Sequence, residues 1–263
     1  MLEIILPVKQ VPEPGAVRID ENTGTVIRNS TESVINPLDL HAVETALRLK
    51  ETVGAHITVI SMGPPSAAKV LREVLALGAD EAILISDRAY GGSDTWSTGF
   101  ILSEAVKHAC PRFDLIICGE RATDGDTGQV GCEMAAALDL PVVTWADQVK
   151  MEGEKLFVRR SNEQGTEELL VTLPALVAVT KAAGNPRLPR LAGKIAARQA
   201  EIKTLTQQEL ALDPLSCGLK GSPTKVVKIF HPKLARNGIR VEGAAKENAE
   251  RLAAFLKERE VIL

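Results

Sequence analysis

Short, continuously apolar runs alternate with amphipathic stretches along the first half of the chain. LEIILPV (2–8), HITVISMG (56–63), AILIS (82–86) and DLIICG (114–119) have the character of strands buried on both faces of a parallel sheet. Between them, 37–51, 64–77, about 94–109 and about 127–138 read as helices. Ala42, Ala46, Leu49 and Val53 recur three or four apart, as do Val70, Val74 and Leu77, which is helical spacing. Asn36 or Asp39 is placed to cap the first helix and Gly78 to end the second. The expectation is an α/β fold with a helix-covered parallel sheet.

Beyond Pro141 the pattern changes. WADQVKME, KLFVRRS and ELLVTL, separated by Gly153 and Gly165, read as a small antiparallel extension, and PALVAVTK (174–181) as one more buried strand. From Gly184 the chain becomes irregular: GNPRLPRLAG precedes a basic helical stretch, KIAARQAEIK, and a final amphipathic helix is expected over about 244–258. Few of these pieces could bury a core alone, so 1–183 is expected as the α/β domain and 184–263 as an arm that packs on another subunit.

Composition narrows the classes. With 263 residues and 45% hydrophobic side chains, the chain can bury a substantial core. Thirty-one basic against 34 acidic residues give a net charge of -3, which offers no general attraction to nucleic acid or anionic membrane. Cys110, Cys118, Cys132 and Cys217 lack paired metal-ligand spacing and read as reduced thiols. No apolar run reaches the roughly 20 residues that span a bilayer, and the N-terminus carries no basic leader. A cytoplasmic protein without membrane insertion is expected.

In open parallel sheets, ligands bind beyond the carboxyl ends of strands. The candidate loops are PVKQVP, SMGPP and ERATDGDTGQVG. In the last, Gly125 and Gly128 permit positive φ, and Asp126 or Thr127 could cap a helix starting near Gln129. Amides at that helix start can bind a phosphate, with Asp124 and Asp126 turned aside. The same residues also suit an exposed turn with a helix cap. A metal reading lacks a third ligand beside Asp124 and Asp126, and nothing around them supports a glycosidase pair. No phosphate-loop, dinucleotide-fingerprint, nucleophile-elbow or zinc-protease motif appears. His41, His56, His108 and His231 are scattered.

Several motifs in order carry a resemblance that covers nearly the whole chain: VKQVP (8–12), NPLDLHAVETALRLKE (36–51), ISMGPP (60–65), ALGADEAILISDRAYGGSDT (76–95), ATDGDTGQVG (122–131) and GLKGSPTKV (218–226). Together they resemble the electron transfer flavoprotein β subunits. The resemblance implies an adenine-nucleotide-binding α/β domain in a heterodimer with an α subunit that carries a further FAD, and a C-terminal arm embracing that partner. In this family the β subunit holds either AMP or, in members that bifurcate electrons, FAD. The spelling Asp124, Gly125, Asp126, Thr127, Gln129, Val130, Gly131 and the run VKQVP are similar to the bifurcating group, which implies FAD here with AMP as the alternative.

By motif position the resemblance places nucleotide contacts at Pro7, Val8 and Lys9, at Asn36 and Asp39, at Met62 and Gly63, and at Gly119 and Arg121, Ala122, Thr123, Asp124, Gly125, Asp126, Thr127, Gly128, Gln129, Val130 and Gly131. NPRLPRLAGKIAAR resembles the family's recognition loop, with Leu191 at the position of a leucine that anchors in a partner dehydrogenase and Arg187, Arg190 and Lys194 as a charged rim. Leu188 and Pro189 stand where a tyrosine-containing stretch is common. The implied activity is electron transfer between NADH, an acyl-CoA dehydrogenase, and ferredoxin or flavodoxin. A carrier with AMP in the same pocket and a nucleotide-binding regulator without redox chemistry are the alternatives.

Overall fold

The structure is a computed structural model that describes residues 1–13, 33–227, 238 and 240–261. His231 and part of the expected arm lie outside the described residues. Contacts divide the chain into a unit from Met1 to Val227 and a second from Lys228 to Leu263. The first unit opens with β1 (Leu2–Pro7), the short β2 (Gln10–Pro12) and β3 (Ser33–Ile35), then α1 (Asp39–Val53), β4 (Ala55–Met62), α2 (Ala68–Leu77) and β5 (Glu81–Ile85). It continues with α3 (Thr95–Ala109), β6 (Leu115–Gly119), α4 (Val130–Ala137), β7 (Val142–Glu152), β8 (Lys155–Asn162), β9 (Gly165–Val171) and β10 (Ala175–Val179). α5 (Leu191–Gln199), β11 (Lys203–Leu205) and the one-turn helices α6 (Gln207–Leu210) and α7 (Gly218–Gly221) complete it. In the second unit, α8 (Ala245–Glu258) carries Leu252, Phe255 and Leu256 at helical spacing.

One nine-stranded sheet runs in the order β11-β5-β4-β1-β6-β10-β7-β8-β9. The pairings from β11 to β7 are parallel, whereas β8 and β9 return antiparallel. Strand β7 serves both parts: Val142 to Ala146 run beside β10 and Ala146 to Glu152 beside β8, with a register shift and a φ of 60° at Trp145. β2 and β3 form a separate antiparallel pair.

Alternation along each strand assigns the two faces. Ile4, Leu6, Ile57, Val59, Leu115, Ile117, Val177 and Val179 pack with Ala42, Val43 and Ala46 of α1 and Val70, Leu71 and Val74 of α2. Ile5, Ile60, Ile83, Ile85, Ile116 and Leu176 pack on the other side with Ile101, Leu102 and Ala105 of α3 and Met134 of α4. Gly78 ends α2 with a φ of 129°, as expected. The four cysteines are unpaired, and no helix among the described residues is long and apolar enough to cross a membrane.

Packing does not stop at 183, where the first domain was expected to end. β11 extends the parallel sheet beside β5, pairing Lys203 with Ile83 and Leu205 with Ile85. Arg72 on α2 donates from Nη1 to the carbonyls of Ala197 and Ala200, 2.8 and 3.1 Å away. Asp94 caps α3 and also accepts from the amide and hydroxyl of Thr224, each 2.8 Å distant. These bonds join 184–227 to 1–183 within the first unit.

Gly193 marks the close approach of α5 to α2, because a Cβ there would overlap the Ala76 carbonyl oxygen. Helix propensity alone makes Gly193→Ala stabilising by about 1 kcal/mol. The overlap falls on backbone that cannot rotate away, so the expected result is a loss of about 1 to 3 kcal/mol in urea unfolding. Lys194→Ala is the control, expected within about 0.5 kcal/mol of the parent. A stabilised Gly193→Ala variant would show that α5 is not seated as described.

Candidate functional site

Strand order locates the crevice. From β1 the chain moves to β4 and β5 on one side, then returns to β6 on the other side of β1. The carboxyl ends of β1 and β6 therefore flank a topological switch point, where connections diverge and leave room for a ligand. The loop after β1, the start of α1 and the loop after β6 all meet there.

Their meeting is built on two buried polar side chains. Asn36 is 0% and Asp39 6% exposed. Asn36 donates from Nδ2 to Asp39 Oδ1 at 2.8 Å and to the Arg121 carbonyl at 2.9 Å, and its Oδ1 accepts from the Thr123 amide at 3.2 Å. Asp39 Oδ2 accepts from the Lys9 amide at 2.7 Å. Asn36 also donates its own amide to the Lys9 carbonyl at 2.8 Å. Neither side chain caps α1, as either could have done; its N-cap is Leu38, without a side-chain bond. Both are committed instead to tying the two loops together.

Burial pushes the Asp39 carboxyl up to about 7, against the opposing pull of the Lys9 amide, the Asn36 side chain, the Lys9 charge and the Gly119 backbone. Around this pair the loop 120–129 is mostly exposed. Lys9 Nζ lies 2.8 Å from Asp124 Oδ1, and Arg121 Nε lies 3.0 Å from Asp126 Oδ1. Both pairs are largely solvated and add little stability. They do turn each aspartate toward a cation.

Two local expectations are corrected. Gly128 does adopt positive φ, 67°, but the second left-handed residue is Asp126, at 55°, and Gly125 is not one. An aspartate tolerates this conformation better than most side chains. The N-cap of α4 is Gln129 with no side-chain bond, so Asp126 and Thr127 do not cap it. The first amides of α4, at Val130 and Gly131, thus keep their capacity to meet an acceptor from outside.

Pro7, Val8, Lys9, Asn36, Asp39, Gly119 and Arg121 to Asp126 are brought into one bonded cluster or lie directly beside it. Thr127 to Gly131 lead from it into α4. Met62 and Gly63 end the neighbouring strand at the same edge, where the Val8 amide donates to the Ile60 carbonyl and the Gly63 amide to that of Ile85. Sequence reasoning missed Ser61, 1% exposed, whose hydroxyl has no partner among the described residues. A polar residue inside the apolar run VISM was the available signal. Glu120, in the same loop as Arg121, lies 3.8 Å from Arg121 Nε.

Leu191 opens α5 and is 75% exposed, beside Leu188 at 89%. Arg190 and Lys194 stand near them on an exposed surface. Arg187 does not join that rim: its guanidinium bonds to Glu44 and Glu51 of α1.

The arrangement sets exposed loop backbone beside the cations Lys9 and Arg121, with the buried Asn36–Asp39 pair fixing the loops. Residues 23–210 match the electron transfer flavoprotein domain family. The chain is 45% identical over 262 residues to the electron transfer flavoprotein subunit beta of Thermoanaerobacterium thermosaccharolyticum, covering 99% of this chain and all of that protein. This chain belongs to the electron transfer flavoprotein β-subunit family. The caffeyl-CoA reductase-Etf complex subunit CarD of Acetobacterium woodii is 41% identical, covering 99% of this chain and 100% of CarD. The acryloyl-CoA reductase electron transfer subunit gamma of Anaerotignum propionicum is 39% identical, again covering 99% and 100%. As a flavoprotein β subunit, the chain is a component of an electron-transfer assembly with an α subunit, and association with a flavin or nucleotide follows from the family.

The buried carboxyl of this β subunit has a measurable signature. Between about pH 4 and 7 the folded chain keeps on Asp39 a proton that the unfolded chain has released. The contribution of Asp39 to stability is therefore greatest below that window and declines as pH rises through it. Urea unfolding of the parent and of Asp39→Asn at pH 5.0 and 7.5 should show the parent losing ground relative to the variant at the higher pH. Unchanged relative stability between the two pH values would mean that Asp39 is ionised throughout.

Proposed function

We propose that this β subunit binds FAD in the switch-point crevice and works in flavin-based electron bifurcation. The observation that carries the reading is the segment Asp124-Gly125-Asp126-Thr127-Gly128-Gln129-Val130-Gly131, lying at that crevice and tied to β1 and α1 through Asn36 and Asp39. Pro7, Val8, Lys9, Met62 and Gly63 form the rest of the wall. A bound flavin would supply hydride acceptance and one-electron transfer. The chain's part would be to hold it: amides from Gly119 to Gly131 would bind the diphosphate, and Lys9 and Arg121 would offset its charge. Asn36 keeps the two loops at fixed separation.

In this reading NADH is the hydride donor, and the two electrons part toward ferredoxin or flavodoxin and, through the α-subunit FAD, toward an acyl-CoA dehydrogenase. Two relatives are named for CoA-ester reductases, which favours that partner class. Leu188 and Leu191 form the apolar contact, with Arg190 and Lys194 as a cationic rim suited to an apolar socket with an acidic edge. Residues 184–263 are the part that meets other subunits, with α8 on the α subunit. The cytoplasm is the compartment in which such soluble donors and acceptors occur together.

Two measurements check this function. Cofactor analysis of the purified heterodimer should give two FAD, and one FAD with one AMP would reject bifurcation. Leu191→Ala should raise the apparent KM for the dehydrogenase about tenfold, the size of a lost apolar anchor, while the flavin count stays at two. Unchanged coupling would reject the docking tip.

A further inference from the structure

Four side chains on one face of α1 reach the segment that precedes α5. His41, Glu44, Arg48 and Glu51 are spaced by three, four and three residues, so successive turns carry them along one line. His41 Nδ1 lies 2.6 Å from the Gly184 carbonyl oxygen, and Arg48 Nη1 donates to the Ala183 carbonyl at 3.4 Å. Arg48 Nε donates to Glu44 Oε1 at 2.9 Å. Arg187 closes the line. Its Nε and Nη2 donate to Glu44 at 2.8 and 3.2 Å, its Nη2 to Glu51 at 3.0 Å and its Nη1 to Glu51 Oε1. Its amide donates to Glu44 Oε2 at 3.2 Å.

This is unlike an ordinary surface pair. The Glu44 side chain is 6% exposed, and two guanidiniums converge on it. Burial opposes its ionisation, yet the bonds from Arg187 and Arg48 hold its carboxyl below the ordinary range. Glu51 is held low by Arg187 in the same way. A planar fork that serves two carboxylates fixes direction as well as distance, which a lysine cannot reproduce.

The next residues point the other way. Leu188, one position after the clamp, is 89% exposed, and Leu191 75%. On the far side α5 is seated on α2 through Arg72. The two leucines are thus carried on a span of chain held at both ends, one end on α1 and the other on α2.

We infer that Arg187 is a positioning residue: from inside the subunit it clamps residues 183–187 to α1 and so sets where Leu188 and Leu191 stand, without itself touching the partner. The clamp stands on bonds within this chain. Only the use of the leucines as a docking tip rests on the proposed function.

The test uses the purified heterodimer and three variants: Arg187→Gln, Arg187→Lys and Leu191→Ala. Amide exchange of the peptide spanning 182–192, followed by mass spectrometry, should quicken at least tenfold in Arg187→Gln and by less in Arg187→Lys. Exchange in Leu191→Ala should match the parent, and α1 and α5 should be unchanged throughout. Exchange at 182–192 that stays at the parental rate in Arg187→Gln overturns the clamp. With the dehydrogenase that accepts electrons from the parent complex, Arg187→Gln should raise KM at unchanged kcat. Adding it to Leu191→Ala should cost little more, because both act through one tip. Fully additive losses would overturn the positioning role by placing Arg187 in the contact itself. Faster exchange with an inert Leu191→Ala would refute the docking reading and leave the clamp intact.

Discussion

The side-chain amide of Asn36 is the point at which three separated stretches of chain are joined. It donates to Asp39 at the start of α1 and to the Arg121 carbonyl after β6, accepts from Thr123, and through Asp39 reaches the amide of Lys9 after β1. A fully buried amide with missing partners costs roughly 1 to 3 kcal/mol per lost bond. Here the described bonds engage both its donor and acceptor ends, so the arrangement holds only while all three stretches keep their places. A parallel sheet alone would leave these loops free to vary. Asn36 and Asp39 make them a fixed wall.

That constraint separates what is rigid in this subunit from what is available. Beneath the wall, strands β1, β4, β6 and β10 are buried on both faces by α1 and α2 on one side and α3 and α4 on the other. Above it, the loop from Glu120 to Gln129 is exposed for the most part, its aspartates paired with Lys9 and Arg121 in solvated contacts. Solvated pairs of this kind exchange partners at small cost, as a phosphate-bearing ligand would require. Helix α1 has a second use. Its first turn supports the crevice, while its face from His41 to Glu51 holds the segment before α5. One helix thereby sets the relation between the switch-point crevice and the exposed Leu188 and Leu191.

Much of this was legible in the sequence, for physical reasons that differ by element. Strands such as LIICG and helices such as AKVLREVLAL declare themselves because burial on two faces, or on one stripe, leaves a periodic signature. Strand β11 and the one-turn helices α6 and α7 span three or four residues, too few for any period to show. The helix starts were misjudged at both crevice loops. Asn36, Asp39 and Asp126 are residue types that cap helices, but Asn36 and Asp39 are drawn into tertiary bonds that local spacing cannot reveal, and Asp126 pairs with Arg121 of its own loop. Arg187 is expected as a rim charge because it flanks Leu191 in a segment that resembles the family's recognition loop. Its partners are 136 and 143 residues away. The glutamates at 44 and 51, seven apart on one helical face, were the only trace of that clamp.

An experimental density map of the purified α and β heterodimer, read at the carboxyl ends of β1 and β6, tests the central claim most directly. The account predicts a flavin nucleotide there, its diphosphate against the amides between Gly119 and Gly131, with Asn36 still bonded to Asp39 and Arg121 beneath it. Nucleotide density bound to this chain at another edge of the sheet, or a crevice closed by its own Lys9–Asp124 pair in the presence of saturating FAD, would contradict it.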